Sequence, residues 1–263
     1  MENYKSLVLK ITSERIHPLL IGIYQTIFST EQGRTHIFDI VSEHISDDSP
    51  IILECGANTG TSTEKFLNRF ENPNIHTFEP VPKHIDVLNK KFSDNDDITI
   101  HEMAVGPSEG TIRIGVARKS NASSVLEIDT LQKYQSQNDF ANSESYEIKD
   151  KIEVKQSRID NIVNNCDIIK LDIEGYELEA LRGASELLDD TKCIIAEVAF
   201  LPLHSGQPLF SDVDLFLRNN GFQLYDFDSL RRGPDGQLMA THAIWFSSDF
   251  YSETDGLIYP VSR

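Results

Sequence analysis

The chain has 263 residues, 39% hydrophobic and 25% charged, which suits one large domain or a domain with a small appendage. Its 42 acids against 24 bases give a net charge of −18. Binding to a nucleic-acid backbone needs a basic footprint, and the densest basic cluster, Arg231 with Arg232, is too small to form one. The expected partner is therefore a neutral or cationic small molecule rather than nucleic acid.

In chain order, residues 1–49 read as a helical extension. Leu7, Ile11, Leu19, Ile23 and Ile27 recur at roughly helical spacing, broken at Pro18, and Ile37, Ile40, Val41 and Ile45 mark a further amphipathic stretch. The apolar run PLLIGIY (18–24) is far short of the ~20 residues that cross a membrane. No secretory signal precedes it, so the expected location is cytoplasmic. Residues 50–263 then alternate: strands IILEC (51–55), IHTFE (75–79), ITIHE (98–102), DIIKLDI (167–173) and CIIAEVAF (193–200), with amphipathic helices between them. This alternation predicts a parallel sheet covered by helices on both faces. FQLYDF (222–227) and HAIWFS (242–247) have only a turn-rich link between them, which predicts an antiparallel hairpin at the sheet edge. TIRIGV (111–116) alternates as an exposed strand. The polar stretch 118–147 interrupts the pattern, either as a surface insertion or as a lid over the site. Cys55, Cys166 and Cys193 show no metal-ligand spacing and read as buried, reduced thiols.

Ligands in such sheets bind at strand carboxyl ends. The first strand exits into ECGANTG, with Glu54 followed by Gly56 and Gly60. Neither the dinucleotide fingerprint nor a phosphate loop is present, and Glu54 would repel a pyrophosphate. S-adenosylmethionine fits better: its ammonium and sulfonium suit an acid, and glycines allow close approach. Glu79, ending the second strand, is placed to accept hydrogen bonds from ribose hydroxyls. Met103 and Ala104 follow the third strand, where they could pack on an adenine.

These segments together carry a family resemblance. LECGANTG, FEPVP, MAVGPSEGTIRI, NASSVL, RIDNIV, IIKLDIEGYELEALRGA and IIAEV occur in an order that resembles the FkbM-type S-adenosylmethionine-dependent methyltransferases over roughly residues 50–247. The resemblance implies an α/β, Rossmann-like class I methyltransferase fold with a seven-stranded, mostly parallel sheet. It also implies methylation of a hydroxyl oxygen on a small molecule or glycan. The candidate cofactor set is Glu54, Gly56, Ala57, Asn58, Gly60, Glu79, Pro80, Met103, Ala104 and Asp172; the family more often has Asp where Glu54 stands. The other readings are an NAD-dependent oxidoreductase and a non-catalytic nucleoside-binding domain.

Methyl transfer to a hydroxyl is an in-line displacement with loss of a proton. Asp172 and Glu174 are two apart and project to the same side of an extended chain, and Glu197 ends the next strand. These three are the candidate catalytic acids. One of them can serve as base or orient the acceptor; alternatively, Asp172 and Glu197 can hold Mg²⁺, a hard cation that prefers oxygen ligands. Glu174 can equally charge the N-terminus of the helix expected over 176–188. His204, in the loop after the fifth strand, is a further candidate base.

Overall fold

A computed structural model describes residues 36–117, 123–126, 148–233 and 235–253. The helical reading of residues 1–35 and most of the 118–147 insertion therefore lie outside the described residues.

The first described helix, α1 (Ile37–His44), buries Ile37, Phe38, Ile40 and Val41, the apolar positions of the amphipathic stretch. It is followed by β1 (Ile51–Cys55), α2 (Thr61–Leu67), β2 (Asn74–Phe78), α3 (Pro82–Phe92) and β3 (Ile98–His101). Pro82 opens α3, where its missing N–H carries no penalty. Next come β4 (Ala104–Val105), β5 (Gly110–Ala117), β6 (Ile148–Ser157), β7 (Ile168–Leu171), α4 (Glu177–Arg182), β8 (Cys193–Ala199) and α5 (Phe210–Asn219). The described chain ends with β9 (Phe222–Arg232), β10 (Leu238–Ser247) and α6 (Ser248–Glu253).

Seven strands form one sheet in the order β3-β2-β1-β7-β8-β10-β9. All pairs are parallel except those of β10, which runs antiparallel to both β8 and β9. This is the class I methyltransferase arrangement. The late hairpin places β9 at the edge and β10 inside it, and both strands are longer than their apolar runs. Strand order reverses between β1 and β7, which makes their carboxyl ends the topological switch point.

The apolar runs form central strands because both faces of the sheet are covered. On one face Leu53, Ile169, Leu171, Ile194 and Trp245 pack with Leu178 and Leu181 of α4 and Leu217 of α5. Trp245 Nε1 donates to Asp214 Oδ1 at 3.0 Å, which satisfies its buried indole N–H. On the other face Ile52, Ile168, Ile195 and Ile244 pack with α1 and Phe66 of α2.

TIRIGV, expected as an exposed strand, is β5, which pairs antiparallel with β6 in a separate three-stranded sheet with β4. β6 (IKDKIEVKQS) was not among the expected strands; half of its residues are charged. The helix expected over 176–188 is regular only from Glu177 to Arg182, and Gly183 marks its end. Added bulk at Gly183 would meet the Gly106 carbonyl 2.0 Å away, so a close backbone approach claims this position.

Candidate active site

A cleft opens at the switch point. Its floor and walls come from the loop after β1 (Gly56, Asn58), the end of β2 (Phe78, Glu79, Pro80, Val81) and β4 with the residue before it (Met103, Ala104, Val105). The turn after β7 (Asp172, Ile173, Glu174, Tyr176), His84 of α3 and Ser123 with Val125 complete it. Those last two belong to the polar 118–147 stretch, so its described part walls the cleft. Of the candidate residues, Gly56, Asn58, Glu79, Pro80, Met103, Ala104, Asp172 and Glu174 come together here. Glu54, Ala57, Gly60 and Glu197 do not line it.

The β1 loop is bound to the protein rather than open to a ligand. The Gly56 and Ala57 N–H groups both donate to the Phe78 carbonyl, at 2.9 and 3.3 Å, and Asn58 N–H donates to Glu79 Oε2 at 2.8 Å. These three amides are not available to a phosphate. The glycines also serve a different purpose from the one expected. A Cβ on Gly56, at φ +82°, would stand 2.0 Å from the Asp172 carbonyl oxygen; one on Gly60, at φ +78°, would stand 2.5 Å from the Phe92 ring. Both glycines permit contact within the protein, between loop and turn and between loop and α3.

Glu54 is fully buried beneath this loop instead of at its mouth. Its Oε2 accepts from the Thr63 hydroxyl at 2.5 Å, and its Oε1 has no hydrogen-bond partner among the described residues. Burial raises its pKa, opposed by the nearby Lys170 ammonium and the Thr63 bond. Glu79 is almost fully buried. Its Oε1 accepts from Val81 N–H at 2.9 Å and lies 3.2 Å from His84 Nδ1. With Asn58 on Oε2, about three of the four lone-pair positions of the carboxylate are occupied. One position on Oε2 is left over.

The acids past β7 form a charged group with Lys170, His242 and Arg231. Lys170 is buried and donates to Asp172 Oδ2 at 3.1 Å. His242 on β10 faces Glu197 on β8 by strand register, and its Nε2 lies 3.6 Å from Asp172 Oδ2. Arg231 pairs with Glu197. Burial opposes ionisation of Asp172, but the Lys170 ammonium and the contact with His242 outweigh it and hold its carboxyl well below the usual range. Burial and the Asp172 charge push Glu174 and Glu197 the other way, each up to about 7.

Glu174 adopts a left-handed backbone, φ +53°, uncommon for a side-chain-bearing residue. Its carbonyl accepts from the Ser124 hydroxyl at 2.8 Å, and its Oε2 lies 3.9 Å from Nε2 of buried His204. Glu174 therefore faces the cleft, and the role at the helix start falls to Glu177, whose carboxylate accepts from Ile173 and Gly175 N–H.

Asp172, Glu197 and His242 have ligand-type atoms within 4.8 Å of one another, a spacing that bears on the expected Mg²⁺ pair. Lys170 and Arg231 already neutralise the two acids there.

Residues 54–224 match the methyltransferase FkbM domain. The chain belongs to that family. It is a methyltransferase, and its FkbM domain holds every residue of the cleft. Among curated proteins it is similar to the 2-O-methyltransferase NoeI of Sinorhizobium fredii, 24% identical over 209 residues, covering 75% of this chain and 86% of that protein. It is also similar to the methyltransferase sdnD of Sordaria araneosa, 24% identical over 187 residues, covering 62% and 68% of the two chains. Among solved structures, a precorrin-6y C5,15-methyltransferase of Geobacter metallireducens aligns with a TM-score of 0.44 at 9% identity, over 80% of this chain and 86% of that one.

Sequence reasoning missed Lys170, His242, Arg231, His84 and Ser124, which stand in or beside the cleft. Lys170 had a readable signal: a lysine inside the apolar run IIKLDI, two residues before Asp172 and so on its side of the strand. His242 and Arg231 had none, because only sheet order brings β9 and β10 beside β8.

Proposed function

We propose that the chain transfers a methyl group from S-adenosylmethionine to a hydroxyl of a small molecule or glycan. The observation that carries this reading is the charge of the cleft. Glu79, Asp172 and Glu174 face one space at the switch point, while the loop amides that would cradle a phosphate are bonded within the protein. A dinucleotide would bring its pyrophosphate against three acids; S-adenosylmethionine brings two cationic centres and no phosphate. The unpartnered Oε1 of Glu54 beneath the loop fits the same sign, since a buried carboxylate oxygen without a partner is costly and a nearby cation lowers that cost. Phe78, Met103, Ala104 and Val125 supply an apolar slot for a flat base.

The bound cofactor supplies an electrophilic methyl group on a sulfonium. The rest is done by side chains of this chain. Asp172, held ionised by Lys170, presents a fixed negative charge to the sulfonium side of the cleft. Glu174, with its pKa near 7, is partly ionised at neutral pH and can take the acceptor hydroxyl proton, as a base matched to the working pH does. Glu197 and His242 flank the same strand ends behind the lining, and His242 lies beside Asp172. The name of the similar 2-O-methyltransferase supports oxygen as the methylated atom. The net charge of −18 supports an acceptor other than nucleic acid. Among the described residues no helix is long and apolar enough to cross a membrane.

Calorimetric titration with S-adenosylmethionine and, separately, NAD tests the reading. Binding of the first and not the second is expected; no binding of S-adenosylmethionine at millimolar concentration refutes it.

A further inference from the structure

Glu177 opens α4 and is 4% exposed. It does not line the cleft, and none of the steps above uses it. Its Oε1 accepts the N–H of Ile173 at 3.0 Å and of Gly175 at 3.2 Å. Between those two donors lies Glu174. Glu174 and Gly175 are successive positive-φ residues, at +53° and +100°, and they turn the chain sharply after β7. Such a turn persists only where its surroundings over-determine it. Here Glu177 holds two of its N–H groups and the Ser124 hydroxyl holds its carbonyl. The Gln207 side chain fills the space over Gly175, 3.1 Å from where a Cβ would stand.

The turn also supports the opposite wall of the cleft. Gly56 rests on the Asp172 carbonyl and on Ile173 Cγ2, with no room for a side chain. Asp172 N–H in turn donates to the Cys55 carbonyl at 3.0 Å. The β1 loop and the β7 turn are thus one interlocked unit.

We propose that Glu177 is a positioning residue that fixes the 172–175 turn, and through it both walls of the S-adenosylmethionine cleft, without touching cofactor or acceptor. This rests on the cofactor reading given above. Burial and the nearby Glu197 push the Glu177 carboxyl up to about 8. Its Oε1 accepts both N–H groups, which a glutamine amide oxygen reproduces. Alanine leaves both donors without their acceptor.

The test is calorimetric titration of the full chain with S-adenosylmethionine, beside thermal unfolding and amide hydrogen exchange. It uses wild type, Glu177→Gln, Glu177→Ala and Leu217→Ala, a core truncation under α5 away from the cleft. Glu177→Gln is expected within about threefold of wild-type affinity, and Glu177→Ala at least about tenfold weaker, with faster exchange at Ile173 and Gly175. Leu217→Ala is expected to melt lower yet bind as wild type does. Where alanine at 177 does not fold, Glu177→Asp, one methylene short, takes its place with the same expected loss. The proposal is overturned if Glu177→Ala binds like wild type, if Glu177→Gln loses as much as alanine does, or if Leu217→Ala weakens binding equally. A wild type that does not bind refutes the cofactor reading instead; exchange at Ile173 and Gly175 in Glu177→Ala against Glu177→Gln then decides the clamp alone.

Discussion

The left-handed backbone of Glu174 separates geometry from charge when Glu174→Ala and Glu174→Gly are compared. A side chain in this conformation costs about 1–2 kcal/mol, and glycine removes that cost at φ +53°. Glycine also gains about 0.5–1 kcal/mol of freedom in the unfolded chain, so it should exceed alanine by a net of roughly 0.5–1 kcal/mol. For a domain of this size that is about 1–4 °C in melting temperature. The charge acts separately. The folded pKa of Glu174 is raised from 4.5 to about 7 by burial and by Asp172. The folded state therefore binds more protons than the unfolded state between those values, and stability falls as pH rises through that window. Both substitutions abolish this contribution, so their gain over wild type should be larger at pH 8 than at pH 5. Thermal unfolding by circular dichroism at both pH values measures it. If glycine is no more stable than alanine, the turn is not strained; if alanine's gain is the same at both pH values, the carboxyl is not desolvated. Either result refutes the account of Glu174, whose loss should also slow methyl transfer.

Gly56→Ala should abolish S-adenosylmethionine binding and lower stability by at least ~2 kcal/mol, since its Cβ meets the Asp172 carbonyl oxygen at 2.0 Å and its φ is +82°; wild-type affinity by calorimetry would contradict the interlocked walls. S-adenosylmethionine binding and methyl transfer should survive EDTA, because Lys170 and Arg231 already neutralise Asp172 and Glu197; activity lost to chelator and restored by Mg²⁺ would return the metal to the site. The three cysteines should resist a thiol reagent in the native state and all react in denaturant. They are buried, and burial raises their pKa values, Cys166 to about 12. Rapid native labelling of any one of them would show that the sheet opens.

The strands most legible in the sequence were those buried on both faces. IILEC and CIIAEVAF are apolar but for one acid each, and both became central strands. β6 was harder to read because half of its residues are charged and its apolar ones, Ile148, Ile152 and Val154, are only half-buried in a small, separate sheet. The site divided in the same way. DIEG and FEP mark strand ends by their acids, so Asp172, Glu174 and Glu79 could be named. The fate of Glu54 could not, because an acid after an apolar run reads alike whether its side chain turns up to a ligand or down under a loop. The glycines were read as close approaches to a cofactor; in the fold Gly56 closes on the Asp172 carbonyl and Gly60 on the Phe92 ring.

By itself the sequence determined the alternation of strands and helices and the acidic character of the strand ends, because each follows from local periodicity and residue type. Only the tertiary structure decided which acids stand free and which are matched. Lys170 reaches Asp172 along its own strand, while Arg231 and His242 reach Glu197 and Asp172 from a hairpin some sixty residues further on, folded back antiparallel beside β8. The ionisation of a buried carboxyl depends on the charges within a few ångströms of it. Those neighbours are set by strand order and register, which no local stretch of sequence encodes.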